Sequence, residues 1–138
     1  MGRRALSSVL LDTHIWAWSL VSPKSLSQNA MEAIGSAGSV CVSTTSLFEI
    51  GQKVRLGKWD AMAPYVDRLI GLADEQRVSL IPVSSAISLT AATLDWSHRD
   101  PFDRLICATA LVEALVLISA DDAFDNPVIA SQLSGRIR

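Results

Sequence analysis

Short apolar runs punctuate this chain, and helix-competent stretches separate them. Four runs have the length and the Val, Ile and Leu content of buried strands: Ser8 to Leu11, Ser39 to Val42, Val78 to Val83 and Leu115 to Ile118. Between them the pattern turns helical. Ser27 to Ser36 holds good helix formers and runs out near Gly35 and Gly38. Leu47, Ile50, Gly51 and Val54 recur at i, i+3, i+4 and i+7, with Gly57 as a stop. Tyr65, Leu69 and Leu72-Ala73 make a second such face. Ser84-Ser85 is placed to cap a helix reaching Leu94, and Pro101 suits the first turn of another that ends near Glu113. Strands alternating with helices predict a parallel sheet in an α/β fold. After Asn126-Pro127 the pattern allows a short strand or an arm.

No linker, repeat or low-complexity segment divides the 138 residues, so one domain over 1–138 is expected. A hydrophobic content of 49% and a mean hydropathy of +0.31 exclude disorder and leave apolar surface for a partner. The most apolar region, Ile106 to Ala120, is broken by Thr109, Glu113 and Ser119, short of the roughly 18 apolar residues of a membrane span. Arg3-Arg4 has the look of a twin-arginine signal, but Asp12 and His14 interrupt the apolar stretch behind it. Gly2 lacks the hydroxyl residue that myristoylation wants, since Leu6 stands there. A cytoplasmic protein is expected, with Cys41 and Cys107 as buried reduced thiols.

Four acids stand after an apolar run or at the start of a helical pattern: Asp12, Glu49, Asp103 and Asp121. In an open α/β sheet, strand ends and helix starts meet along one edge, where ligands bind. Each acid has a structural explanation of its own. Asp12 suits the N-cap of a helix holding Ile15, Trp16 and Leu20. Ser46-x-x-Glu49 fits a capping box, and Glu49 also stands four residues before Lys53. Asp100-Pro101-Phe102-Asp103 reads as an N-cap, a first-turn proline and an acid at N3, and Asp121 suits the cap of a short helix. Together they describe something else. Helix N-termini favour carboxylate ionisation, clustered carboxylates oppose it, and a hard divalent cation resolves the conflict.

Leu10-Leu11-Asp12-Thr13-His14, Ser46-Leu47-Phe48-Glu49-Ile50, His98-Arg99-Asp100-Pro101-Phe102-Asp103-Arg104 and Ser119-Ala120-Asp121 occur in the order and spacing of PIN-domain ribonucleases. The chain most resembles the VapC-type toxins of bacterial toxin–antitoxin pairs, over essentially its whole length. The resemblance implies a three-layer α/β/α domain with a parallel sheet of four to five strands. It implies an endoribonuclease dependent on Mg²⁺ or Mn²⁺, a cognate antitoxin, an RNA substrate and a homodimer. By motif position Asp12 and Asp103 would be the most direct metal ligands, with Glu49 and Asp121 completing the site. Thr13 and Ser119 are close enough in sequence to hold metal-bound water or a carboxylate. Asp100 stays as the cap, and strand phase favours Asp121 over Asp122.

A cation held by carboxylates would polarise a phosphodiester and activate an attacking water, with no Ser or Cys nucleophile needed. The net charge of −2 and pI of about 5.6 mean that RNA must be held by a local cluster. Lys53, Arg55 and Lys58 follow Glu49, and Arg99 and Arg104 flank Asp103; these five are the expected positive rim. Trp16, Trp18, Trp59 and Trp96 suit core or partner packing first and base stacking second. His14 and His98 show no zinc spacing; His14 is expected to pack or to hydrogen-bond, and His98 to orient the Asp100 loop. Two other functions are open to the same residues. An aspartyl phosphohydrolase would use Asp12 as nucleophile, though His14 stands where a second acid is wanted. A non-catalytic binding module would use the acids only as caps. Dinucleotide binding is excluded, because the glycine-rich Gly35-Ser36-Ala37-Gly38 precedes a strand.

Overall fold

A computed structural model describes residues 7–138. Gly2, Arg3-Arg4 and Leu6 lie outside the described residues, and with them the signal readings. Five parallel strands are present: β1 (Ser8–Leu11), β2 (Ser39–Ser43), β3 (Val78–Ile81), β4 (Val116–Ile118) and β5 (Arg136–Ile137). They lie in the order β3-β2-β1-β4-β5. Seven α-helices are described: α1 (Thr13–Val21), α2 (Gln28–Ser36), α3 (Thr44–Arg55), α4 (Leu69–Glu75), α5 (Ser85–Thr93), α6 (Pro101–Val112) and α7 (Pro127–Gln132). The C-terminal residues thus take the short-strand option. β3 stops at Ile81, two residues before the expected Val83, because Pro82 has no N–H to continue the ladder.

Alternation along the strands builds two cores. Val9 and Leu11 of β1, Val42 of β2 and Ile118 of β4 face one side, where Ile15, Trp16, Ala30, Ile50, Met62 and Leu69 pack on them. Leu10, Cys41 and Leu117 face the other, under Ile106, Cys107, Ala110, Phe124 and Ile129. Helices therefore cover both faces of the sheet, as the expected three layers require. Cys41 and Cys107 are buried and unpaired, and burial pushes the Cys107 thiol up to about 12.

Helix starts follow the chain's short polar residues. Ser27 accepts from Ala30 N, Ser84 from Ile87 N, Asp100 from Phe102 N and Asp121 from Ala123 N. One start differs from expectation. Helix α3 begins at Thr44 with Ser43 as its N-cap, so Ser46 and Glu49 lie inside the helix and form no capping box. The helix follows β2 directly, starting three residues before the position that Ser46 would cap, so Ser43 takes the capping role. Helix α3 stops at Leu56, and Gly57 takes the positive φ of 71° that lets the chain leave. The Tyr65 to Ala73 face divides into a 3₁₀ stretch (Asp60–Arg68) holding Pro64, followed by α4.

The strand order decides where chemistry collects. From β1 the chain moves to β2 and β3 on one side, then returns to place β4 on the other side of β1. A crevice opens at the carboxyl ends of β1 and β4, where the direction reverses. Helix α6 leads into β4, so its N-terminus returns to that same edge.

Candidate metal centre

Four elements bring the acids to this crevice. Asp12 follows β1 directly and caps α1. Glu49 sits in α3, after β2. Asp103 lies in the first turn of α6, and Asp121 follows β4. Asp12, Glu49, Asp103 and Asp121 line one cleft of about 290 Å³, together with His14, Trp18, Lys53, Asp100 and Ala120. The structure thus brings all four sequence-expected acids together.

Their environments differ. Asp12 is buried, and both of its oxygens are held: Thr13 N donates to Oδ1 at 2.8 Å and Ser119 Oγ to Oδ2 at 2.7 Å. Burial nevertheless pushes its carboxyl above the usual range, against the lowering effect of these bonds and with some help from Glu49. Asp103 is also buried, and burial raises it to about 6. The His98 hydrogen bond opposes that rise, while the charges of Asp12, Asp100 and Asp121 add to it. Glu49 is buried, and Lys53 Nζ reaches its Oε2 at 2.6 Å, the i,i+4 pairing expected from the sequence. Asp121 is exposed; its Oδ1 accepts from Ala123 N while its own N–H donates to Ser119 Oγ at 3.1 Å.

Asp100 caps α6 as expected, yet it also lines the cleft. Donor atoms of His98, Asp100 and Asp103 lie within 4.8 Å of one another. Asp122 pairs with Arg138 and is not among the residues lining the cleft.

The donor set fits a hard divalent cation. Asp12 and Asp103 sit buried in one cleft with their ionised forms disfavoured, and among the described residues Lys53 is the one lysine or arginine lining it. Asp12 and Asp103 are the groups best placed to hold such an ion, with Glu49, Asp121 and Asp100 in reach of the same cleft.

The expected positive rim is largely elsewhere. Arg55 and Lys58 are exposed beyond the cleft lining, and Arg99 lines a separate groove with Ser88, Ala91 and Pro101. Arg104 corrects the expectation. Its guanidinium donates to the carbonyls of Ala91, Leu94, Trp96 and His98 at 2.9, 2.8, 2.7 and 3.0 Å, closing the open C-terminal end of α5. It is a structural clamp, with no donor left facing the cleft.

Two of the tryptophans are core residues, Trp16 at 0% exposure and Trp96 at 8%. Trp18 and Trp59 stay half-buried around His14, whose ring stacks on Trp59 at 4.6 Å and meets Trp18 edge-on at 6.0 Å. His14 therefore packs, as expected, but it does so on the cleft wall. Sequence reasoning gave His98 only a loop-orienting role. In the structure its Nε2 lies 2.7 Å from Asp103 Oδ2. No linear signal marks that contact, because residues 94–100 form no helix or strand.

The PIN-domain family model matches residues 9–128. Over 117 residues the chain is 32% identical to Ribonuclease VapC22 of Mycobacterium tuberculosis, covering 84% of this chain and 88% of that protein. Among solved structures, the VapBC-5 toxin–antitoxin system of M. tuberculosis shares the fold with a TM-score of 0.64 at 24% identity, covering 96% of this chain and 98% of that one. VapBC2 of Rickettsia felis, bound to a DNA fragment from its promoter, does so with a TM-score of 0.61 at 16% identity, covering 88% and 94%. The chain belongs to the PIN-domain family.

Proposed function

We propose that this PIN-domain chain is the toxin of a toxin–antitoxin pair, acting as an endoribonuclease that depends on Mg²⁺ or Mn²⁺. One observation carries the reading: Asp12 and Asp103 are both buried in one cleft, from elements 91 residues apart, with Glu49 and Asp121 beside them. Carboxylates gathered this way stay ionised together only with added positive charge. The relative named a ribonuclease supports the reaction class.

When bound, a divalent cation supplies Lewis acidity toward a phosphodiester and lowers the pKa of water. The chain's own residues do the rest. Asp12 and Asp103 would hold the ion, Ser119 and Thr13 fix Asp12, and Glu49 and Asp121 would complete the cluster. Lys53, kept in place by Glu49, is the cation inside the cleft that meets the RNA backbone. Arg55, Lys58 and Arg99 extend the contact outside it. The whole chain, 1–138, works as one domain.

An antitoxin partner is supported by neighbours solved as toxin–antitoxin complexes. Exposed Phe48, Leu56, Ile70 and Leu89 supply apolar surface for protein contacts, including those of a homodimer. No helix among the described residues is long and apolar enough to cross a membrane.

Sequencing RNA ends after brief induction, beside an Asp12→Ala control, tests the reading. New ends at defined positions with the unmodified chain, and none with the variant, are expected. Identical end profiles from both would overturn it.

A further inference from the structure

Asp12 and Asp103, two of the three buried carboxylates described in the cleft, are held in unequal ways. Asp12 has a donor on each oxygen, Thr13 N and Ser119 Oγ. Among the described residues, Asp103 has one side-chain partner, the imidazole of His98 on Oδ2. We propose that His98 is a positioning residue for Asp103: it holds Oδ2 and so presents the other oxygen to the cation. This inference rests on the metal-dependent reading above.

The position of His98 is itself built. The backbone from Leu94 to Asp100 belongs to no helix or strand, and beyond the turn closed by Trp96 N donating to Leu94 O at 2.9 Å it needs outside support. Arg104 supplies it. Its Nη1 donates to Trp96 O at 2.7 Å and to His98 O at 3.0 Å, while Nη2 donates to Leu94 O at 2.8 Å. The imidazole is then braced by the Trp96 ring at 4.9 Å, and Trp96 is seated on Phe124 at 5.5 Å. Arg104 follows Asp103 directly in α6. One helix turn therefore displays the carboxylate and also anchors the loop that orients it.

Chemistry favours a donor role over a ligand role for His98. Mg²⁺ and Mn²⁺ prefer oxygen, and Asp12, Glu49, Asp100, Asp103 and Asp121 supply enough of it. Ligating carboxylates are themselves held by hydrogen bonds from outside the metal's own ligands, and an imidazole N–H supplies such a bond here. Without it Asp103 would be free to rotate about its side-chain bonds, and part of the binding energy would go into ordering it.

The test is Mn²⁺ binding by the purified full chain, which needs no knowledge of the RNA target. Mn²⁺ is titrated into the unmodified protein, His98→Ala and His98→Gln, following free Mn²⁺ by electron paramagnetic resonance. Pulsed measurements on the bound ion read any directly coordinated imidazole nitrogen. His98→Ala is expected to weaken binding about 10–100-fold. His98→Gln, whose amide N–H can replace the Nε2 donor, is expected to recover most of that loss. The unmodified protein should show no coordinated nitrogen. Unchanged affinity in His98→Ala, failure of His98→Gln to recover binding, or a coordinated nitrogen lost in His98→Ala each overturns the proposal. If His98→Ala does not fold, His98→Gln and the pulsed spectrum still decide it. An unmodified chain that binds no Mn²⁺ at all would instead sink the metal reading and this inference with it.

Discussion

The hydroxyl of Ser119 donates to Asp12 Oδ2 at 2.7 Å, tying together two residues 107 positions apart in the chain. The bond crosses the crevice mouth between β1 and β4, and Ser119 is fully buried. It also accepts from Asp121 N, so one side chain links two of the four acids. Ser119→Ala should loosen both. A fall of about tenfold in Mn²⁺ affinity is expected, the lower end for an outer support. Metal-free stability should drop by roughly 1–3 kcal/mol, since a buried carboxylate loses its donor. Titration calorimetry and urea unfolding read the two effects separately.

Asp103 gives the metal-free protein a pH dependence of definite sign. Its carboxyl is raised from the ordinary 3.8 to about 6, chiefly by burial. The folded chain therefore binds a proton that the unfolded chain has already lost between those two values. Its contribution to stability is fully present below about pH 4 and disappears as pH rises through about 6. Asp103→Asn removes the ionisation. In EDTA, the variant should gain on the unmodified chain as pH rises from 4 to 8, by on the order of 3 kcal/mol at 1.36 kcal/mol per unit. A stability difference that stayed flat over that range, measured by denaturant unfolding, would contradict the burial argument.

Arg104 should behave as a residue of the fold. Arg104→Met takes the guanidinium donors from the carbonyls of Ala91, Trp96 and His98 and leaves Leu94 O with Trp96 N alone. A loss of about 3 kcal/mol is expected, on the scale of charged hydrogen bonds withdrawn from partly buried acceptors. Arg104→Lys should recover only part, because an ammonium cannot span the same fork of acceptors. Thermal unfolding of the two variants, compared at one pH, checks the order.

The exposed cations should act by charge alone. Arg55→Ala, Lys58→Ala and Arg99→Ala are expected to leave the unfolding midpoint within about 0.5 kcal/mol of the original. Each that touches the RNA backbone should lower the salt dependence of binding by about one unit of slope. Fluorescence anisotropy with a labelled RNA, in Ca²⁺ and across a salt series, separates contributing from idle positions. Three unchanged slopes would confine the RNA contact to Lys53 and the metal.

Much of the site was legible in the linear chain because the fold class is written in local periods. Apolar runs alternating with helical faces require a parallel sheet, and a parallel sheet sends its strand ends to one edge. Asp12 after β1 and Asp121 after β4 follow from that alone. The cap roles of Asp100 and Asp121 were equally local, since a cap binds an N–H two or three residues on.

What the sequence could not determine was the partner of each polar side chain. Arg104 looked like one of several cations near Asp103, and only the packing of α5 against α6 turned it toward carbonyls. His98 looked like a loop residue until Arg104 and Trp96 set its ring against Asp103. Ser46 looked like a cap, but α3 starts directly after β2 with Ser43 in that role, and Ser46 meets Thr13 instead at 2.8 Å. The sequence by itself thus determined the layered parallel fold and the edge at which the acids gather, because periodicity and capping act over a few residues. Only the tertiary structure decided which carboxylates are buried, which donors hold them and which cations remain free. Those outcomes depend on desolvation and on contacts between residues far apart in the chain.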